Sequence, residues 1–394
     1  MRDKTYLAIG LVVFGALAAA VLAALAVTAA TARAAVPGRA PAGGVVAAVA
    51  SHASVGRAPE LLSQTGLYRP DGSVDPRNRP FAPQYPLWTD GAAKSRWVRL
   101  PEGSKIDVSD VDAWRFPPGT TFWKEFSWEG RKVETRMVRV GAGGEVMFAS
   151  YVWKEDQSDA VLAPEGGVPG VYGVAEGKRH SIPSVADCIS CHQSSPSVAL
   201  GFTALQLSDD RDPMAPHAVP VPEGGVTLRG LVEEGRLSPP RPELAVRPPR
   251  IRASDPVARA AMGYLSANCG HCHNTRGPLA RLGFSFLHAS GDSSSAEPVL
   301  VTAVASHGRY VVPGVPADSS YLIAPGAPNR SAVLYRMSSR RPSSQMPPVG
   351  TVLRDEEAAK LVREWIEHLR PTTASTALAR VGGTSPPHES RTTV

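Results

Sequence analysis

The 394-residue chain has no basic run interleaved with aromatics, no phosphate-cradling glycine loop and no serine-triad arrangement. Those absences set aside nucleic-acid binding, phosphate-loop chemistry and serine hydrolysis. The formal charge of +6 is too diffuse to restore the first of these, though a mildly basic surface suits an acidic partner. Cysteine is also scarce, with four in all, and their arrangement matters more than their number. Low-complexity disorder is not indicated either, because 43% of residues are hydrophobic and 20% charged. The length allows two ordinary domains. Thirty-seven prolines and 36 glycines predict many turns and at least one linker.

At the N-terminus Arg2 and Lys4 precede an uncharged apolar run from Tyr6 to Ala32, and Ala32 to Ala34 reads ARA. A positive start, an apolar middle and a small-residue end describe an export signal. The run is also long enough to serve as an uncleaved membrane anchor. Both readings put the working domains outside the cytoplasm, soluble in the periplasm or anchored by residues 1–34.

All four cysteines lie in C-x-x-C pairs, DCISCH (Asp187 to His192) and ANCGHCHN (Ala267 to Asn274), and a histidine follows each pair. An even count in an exported chain admits two disulfides, yet a disulfide has no use for that histidine. Zinc is the second reading, but a zinc ribbon places its knuckles much closer together. Covalent haem uses every residue of both motifs. The two thiols bond the porphyrin, and the adjacent histidine supplies the proximal iron ligand. The expectation is two covalently bound c-type haems, on Cys188, Cys191 and His192 and on Cys269, Cys272 and His273. His271, inside the second motif, is expected to be an exposed spacer.

Residues 35–58 read as a flexible linker. Six of the seven tryptophans fall between Trp88 and Trp153, marking a β-rich domain over residues 59–207. Within it KVETRMV and EVMFASYVW alternate in character around GAGG, the pattern of a hairpin. WRFPPGTTFWKEFSW adds a further strand, and its tryptophans read as core rather than as a substrate platform. Residues 208–253 form a Pro-rich connector with a short helix expected at 228–234. At 254–268 Ser254 or Asp255 caps a helix, with Pro256 in its first position. A final helix over 355–370 carries Ala358, Leu361, Val362, Trp365, Ile366 and Leu369 as its apolar stripe. Residues 371–394 read as a disordered tail.

A helix ending in CGHCH, followed by a terminal amphipathic helix with Trp365, resembles the class I cytochrome c fold over residues 254–370. The resemblance implies an all-α domain whose first and last helices cross, small residues (Ala260, Ala261, Gly263) meeting the aromatic Trp365. It also implies a distal methionine on a loop before the last helix. Met346 in RPSSQMPPVG fits that place, between Gln345 and two stiffening prolines. Met337 is the next choice and reads as core.

The region from Leu61 to Leu207 resembles a family of exported, haem-attaching bacterial proteins, through YPLWTDGAAKSRWVRLP, FPPGTTFWKEF, ETRMV, IPSVADCISCH and LGFTALQL. That resemblance speaks to architecture and location rather than to a reaction, and it carries over Cys188, Cys191 and His192. For the distal ligand of the first haem, Met214 is the first choice and His180, His217 and Met137 are alternatives. A five-coordinate iron is the other reading.

The expected fold class is therefore α+β and multidomain, an antiparallel β-rich half followed by an all-α cytochrome c-like half. The expected function is single-electron transfer between redox partner proteins. Arg276, Arg281, Arg336, Arg340 and Arg341 would form a rim for an acidic one. The membrane enters only through residues 1–34. The alternative is a haem-dependent oxidoreductase with an open first iron. In that reading Asp90, Lys94, Arg96, Lys124, Glu134 and Arg136 line a substrate site; otherwise they serve strand-edge solubility and salt bridges.

Overall fold

The computed structural model describes residues 56–291 and 296–370. The expected signal or anchor, most of the linker and the tail lie outside the described residues. No described helix is long and apolar enough to cross a membrane.

Alternation in the tryptophan-rich segment produces an antiparallel sheet of six strands in the order β1-β2-β4-β5-β6-β7. These are β1 (Arg79–Pro80), β2 (Ala93–Arg99), β4 (Thr121–Trp128), β5 (Arg131–Val140), β6 (Val146–Trp153) and β7 (Ala160–Leu162). The β5–β6 hairpin is the one expected around GAGG, in register from Glu134↔Val152 to Val140↔Val146. Gly144 takes a φ of +82° there, a conformation costly for any residue with a Cβ. Two small ribbons complete the β structure. β3 (Ile106–Asp107) pairs in parallel with β10 (Leu237–Ser238), and β8 (Val168–Ala175) pairs antiparallel with β9 (Lys178–Ile182).

Register divides the sheet into two faces. Trp123, Met137, Ala149 and Tyr151 point to one side, where they pack on Leu62 and Leu67. Val98, Phe122, Val138 and Phe148 point to the other, against Phe81, Trp114 and Phe202. Phe202 sits edge-on to Phe81 and Phe122 at 4.9 and 5.3 Å, the arrangement aromatic quadrupoles favour. Helix α1 (Val185–His192) lies on this second face through Val185, Cys188 and Ile189. α2 (Leu228–Glu233) and α3 (Glu243–Val246) add Leu228, Leu231 and Leu244 to the same core.

Further along, α4 (Pro256–Asn268) begins as its sequence implies. The Asp255 carboxylate accepts the amide of Ala258 at 2.8 Å, and Pro256 occupies the first turn. After α5 (Pro298–Thr302) and α6 (Ala332–Ser338), α7 (Glu356–His368) is capped in the same way by Asp355. Ala261 and Leu265 of α4 share one core with Val362, Trp365 and Ile366 of α7.

The expectation of an α+β chain ending in an all-α cytochrome c-like domain is corrected here. The protein is predominantly β, and no all-α domain of that kind appears among the described residues. Between its helices the C-terminal part is built of single turns, and isolated bridges join Val304 to Ile323 and Tyr321 to Ser331. The physical reason is visible at Gly263. A Cβ there would fall 2.1 Å from Tyr85, so the notch in α4 receives a ring from the N-terminal half. The Tyr85 hydroxyl donates to Asp212 at 2.9 Å, and the Asn268 side chain accepts the amide of Trp88 at 2.8 Å. One core serves both halves, with Tyr85 as a member of the cluster that contains Trp365.

Candidate functional site

α1 owes its start to a capping box. Ser184 Oγ accepts the Asp187 amide at 3.1 Å, and the Asp187 carboxylate accepts the Ser184 amide at 3.0 Å. Cys188, Cys191 and His192 therefore fall on one short helix. Cys269, Cys272 and His273 follow the end of α4, with the His273 amide bonded back to Cys269 O at 2.8 Å. Although far apart in sequence, all six residues line one cavity of about 560 Å³. That is the size of a small-molecule or cofactor pocket. Asn274 Nδ2 donates to Ser194 O at 2.9 Å and stitches the two segments together. Gly277 lets them approach, since a Cβ there would lie 2.6 Å from the same oxygen.

All four thiols are free and half-buried. Burial pushes Cys188 up to about 11 and Cys269 up to about 12, so both are protonated at neutral pH. Cys191 and Cys272 share a hydrogen bond that holds Cys191 down and Cys272 up. The ligand atoms of Cys191, His271 and Cys272 all lie within 4.8 Å of one another. His271 is only 9% exposed, which corrects the expectation of an exposed spacer: it sits at the junction of the motifs.

The two motif histidines are placed differently. His192 has its Nδ1 2.6 Å from Val198 O, so that nitrogen carries the proton and Nε2 keeps its lone pair. Its ring tilts against Phe148 at 5.1 Å. His273 stacks on Phe284 at 4.9 Å, and its buried Nδ1 has no partner. Burial pushes both down to about 4, leaving neutral imidazoles of the form that binds metal.

Met346 lines the cavity, as does Met337 of α6. The loop that carries Met346 is pinned from several sides. Its amide donates to Arg336 O at 3.0 Å, and Arg336 Nε donates to Ser344 O at 3.1 Å. Asp90 Oδ1 accepts the amides of Val352 and Leu353, both at 2.8 Å. Met214, by contrast, is 44% exposed and is not among the residues lining the cavity. The alternatives to it are engaged elsewhere. Met137 is buried on the opposite sheet face, His180 Nε2 is 3.2 Å from Glu134, and His217 Nε2 is 2.9 Å from Asp355.

The six charged residues of the β-rich half divide: three face the cavity, and Glu134 forms with Arg136 a salt bridge of the kind the alternative reading allowed. Arg96, Lys124 and Arg136 stand on the central strands and line the cavity. Glu134 holds Arg136 through two hydrogen bonds of 2.6 and 2.8 Å. Burial alone would raise Glu134, but Arg136 and His180 outweigh it and hold it down to about 2. Lys94 donates to Ala92 O at 3.0 Å and is pushed down to about 7, first by burial and then by Arg96 and Arg136. The inward direction is readable in retrospect. Phe122 and Phe126 share the parity of Lys124, and Val138 shares that of Arg136.

Of the expected arginine rim, Arg281 and Arg341 are exposed, and Arg276 pairs with Asp110 at 2.6 Å. Arg336 and Arg340 instead hold the Met346 loop. No protein-family model, curated protein or solved structure matches the chain.

Proposed function

We propose that the chain is a dihaem c-type cytochrome that passes single electrons between redox partner proteins outside the cytoplasm. The observation that carries this reading is the convergence of both C-x-x-C-H motifs on one cavity. The donor set fits the group. Four free thiols stand beside two imidazoles that burial keeps neutral. Cys188 and Cys191 would hold one haem and Cys269 and Cys272 the other, with His192 and His273 as proximal ligands. Each haem supplies a one-electron iron couple when bound.

The protein's own residues orient and shield. Val198 O sets the tautomer of His192, and Phe148 fixes its ring plane. Met346 on its pinned loop offers a thioether to the second site, an arrangement that raises a potential. Cys191 Sγ and Cys272 Sγ lie within 4.8 Å of each other. The two attachment points are thus adjacent, which suits direct transfer between the haems. The export signal read from residues 1–34 accords with this use.

The test is a haemochrome assay after expression with the haem-attachment machinery, followed by spectra with and without carbon monoxide. Two covalent haems per chain are expected. Absence of covalent haem overturns the reading.

A specific observation favours a second reading. Cys191, His271 and Cys272 form a sulfur–nitrogen donor set of the kind zinc takes. Stoichiometric zinc in a colourless protein would establish it in place of haem.

A further inference from the structure

Arg96, Lys124 and Arg136 occupy directly opposed positions on three adjacent strands. Arg96 pairs with Lys124 across β2–β4, and Lys124 pairs with Arg136 across β4–β5. Like charges directly opposite one another destabilise a sheet. Here Arg96 is also taken out of bulk water, only 6% exposed, while Lys124 and Arg136 are half-buried. Glu134 is already committed to Arg136 and His180. Arg96 has one long hydrogen bond, from Nη1 to Lys94 O at 3.5 Å, and among the described residues no ion pair. Lys124 has a cation–π contact with Phe126 at 4.8 Å, and no ion pair is found for it among the described residues. The Arg136 guanidinium lies over the same ring at 4.5 Å. A buried cation without a counter-charge is expensive, and two of these three, Arg96 and Lys124, face the cavity with none, which calls for a negative group from outside the fold.

We propose that this row is an anion-binding wall, beside the first C-x-x-C-H motif, for a carboxylate or a small inorganic oxyanion. Arg96 presents the planar fork that suits two oxygens, Lys124 a point charge beside it, and Arg136 the flank. Burial pushes Arg96 down to about 10. Lys124 is driven well down by burial and then by Arg96, Lys94 and Arg136. Burial acts on both, and on Lys124 the neighbouring cations outweigh Glu134. Two sources supply such an anion: the propionates of the first haem, or a free oxyanion drawn to an open iron. The propionate source rests on the haem reading above, and the free-anion source does not.

The experiment uses the purified protein with whatever cofactor it carries. It compares wild type with Arg96→Gln, Lys124→Gln and the conservative Arg96→Lys. Sodium sulfate is titrated against sodium chloride at matched ionic strength, read by thermal melting and by the Soret difference spectrum. Saturable sulfate binding, weakened at least about tenfold by Arg96→Gln or Lys124→Gln and partly restored in Arg96→Lys, identifies a free-anion site. If sulfate has no effect, the propionates are tested directly. Shifted propionate bands in the resonance Raman spectra of both Gln variants, with a lower potential at the first haem alone, assign the wall to them. Unchanged sulfate response, Raman bands and potential overturn the proposal. Should Arg96→Gln fail to fold, Lys124→Gln and Arg96→Lys carry the same readouts. If no haem is attached, that reading falls by itself and the sulfate titration alone decides whether the anion wall exists.

Discussion

The two C-x-x-C-H motifs share a cavity and a chemistry but not an environment. The first lies on an eight-residue helix laid across a sheet, with Phe148 against its histidine and a cationic row nearby. The second ends a thirteen-residue helix, with Phe284 against its histidine and the thioethers of Met337 and Met346 on the cavity wall. His192 has a backbone acceptor for Nδ1, whereas His273 has none. Groups beyond the direct ligands tune a metal through orientation, charge and dielectric. Two motifs of the same C-x-x-C-H pattern can therefore serve different ends. One side presents thioethers to the cavity, while the other presents the cationic row proposed above to hold an anion.

The largest effect that separates the sites is loss of a cofactor. Replacing Cys188 and Cys191 by Ser is expected to remove one haem, and replacing Cys269 and Cys272 the other. Each double variant should fall to half the wild-type haem content in a haemochrome assay. Full retention in either would show that its motif does not attach haem. Next in size is Glu134→Gln, which leaves Arg136 buried without its counter-charge. Breaking such a pair costs about 3–5 kcal/mol. Denaturant unfolding should register this, while the spectral signature of the Met346 side stays unchanged. A loss below ~1 kcal/mol would mean that the wall needs no carboxylate.

A smaller effect tests whether the second site depends on the first half of the chain. Gly263→Ala drives a methyl into Tyr85 and should cost about 1–3 kcal/mol, the usual range for overpacking. Tyr85→Ala should offset part of that loss in a double-mutant cycle. Strict additivity would indicate that the helical part is independent after all. The smallest effect is a pH dependence. The hydrogen bond to Asp355 raises His217 above its ordinary value against the opposing effect of burial, linking the segment before α2 to the cap of α7. A raised histidine contributes stability that is full below its unfolded value of about 6.5 and lost as pH climbs through the folded one. Melting curves of wild type and His217→Gln should differ by roughly 1 kcal/mol or less at acid pH and converge at alkaline pH. A constant gap would argue against protonation as the cause.

How much was legible follows from the range of the forces involved. The apolar stripe from Ala358 to Leu369 announces α7, and Asp255 and Pro256 announce α4 because a cap is settled within one turn. GAGG between two alternating runs announces the β5–β6 hairpin for the same reason. Both C-x-x-C-H motifs are legible as motifs, since their thiols and imidazoles stand in adjacent residues. The resemblance that names Met346, before the last helix, picks out a residue that lines the cavity, whereas Met214, the first choice for the other site, does not line it, because nothing local says which loop folds over α1. The charges of β2, β4 and β5 were visible individually. Their meeting in one row depends on the pairing of three strands.

The sequence by itself thus determined the caps, the hairpin and the two sets of thiol and imidazole groups, all products of contacts a few residues long. Only the tertiary structure decided that Tyr85 fills the notch at Gly263, that Asp90 ties down the Met346 loop and that Cys191 meets Cys272. Those contacts join segments far apart in the chain. They are selected by how whole faces pack and which charges burial leaves unpaired, and no local pattern encodes that choice.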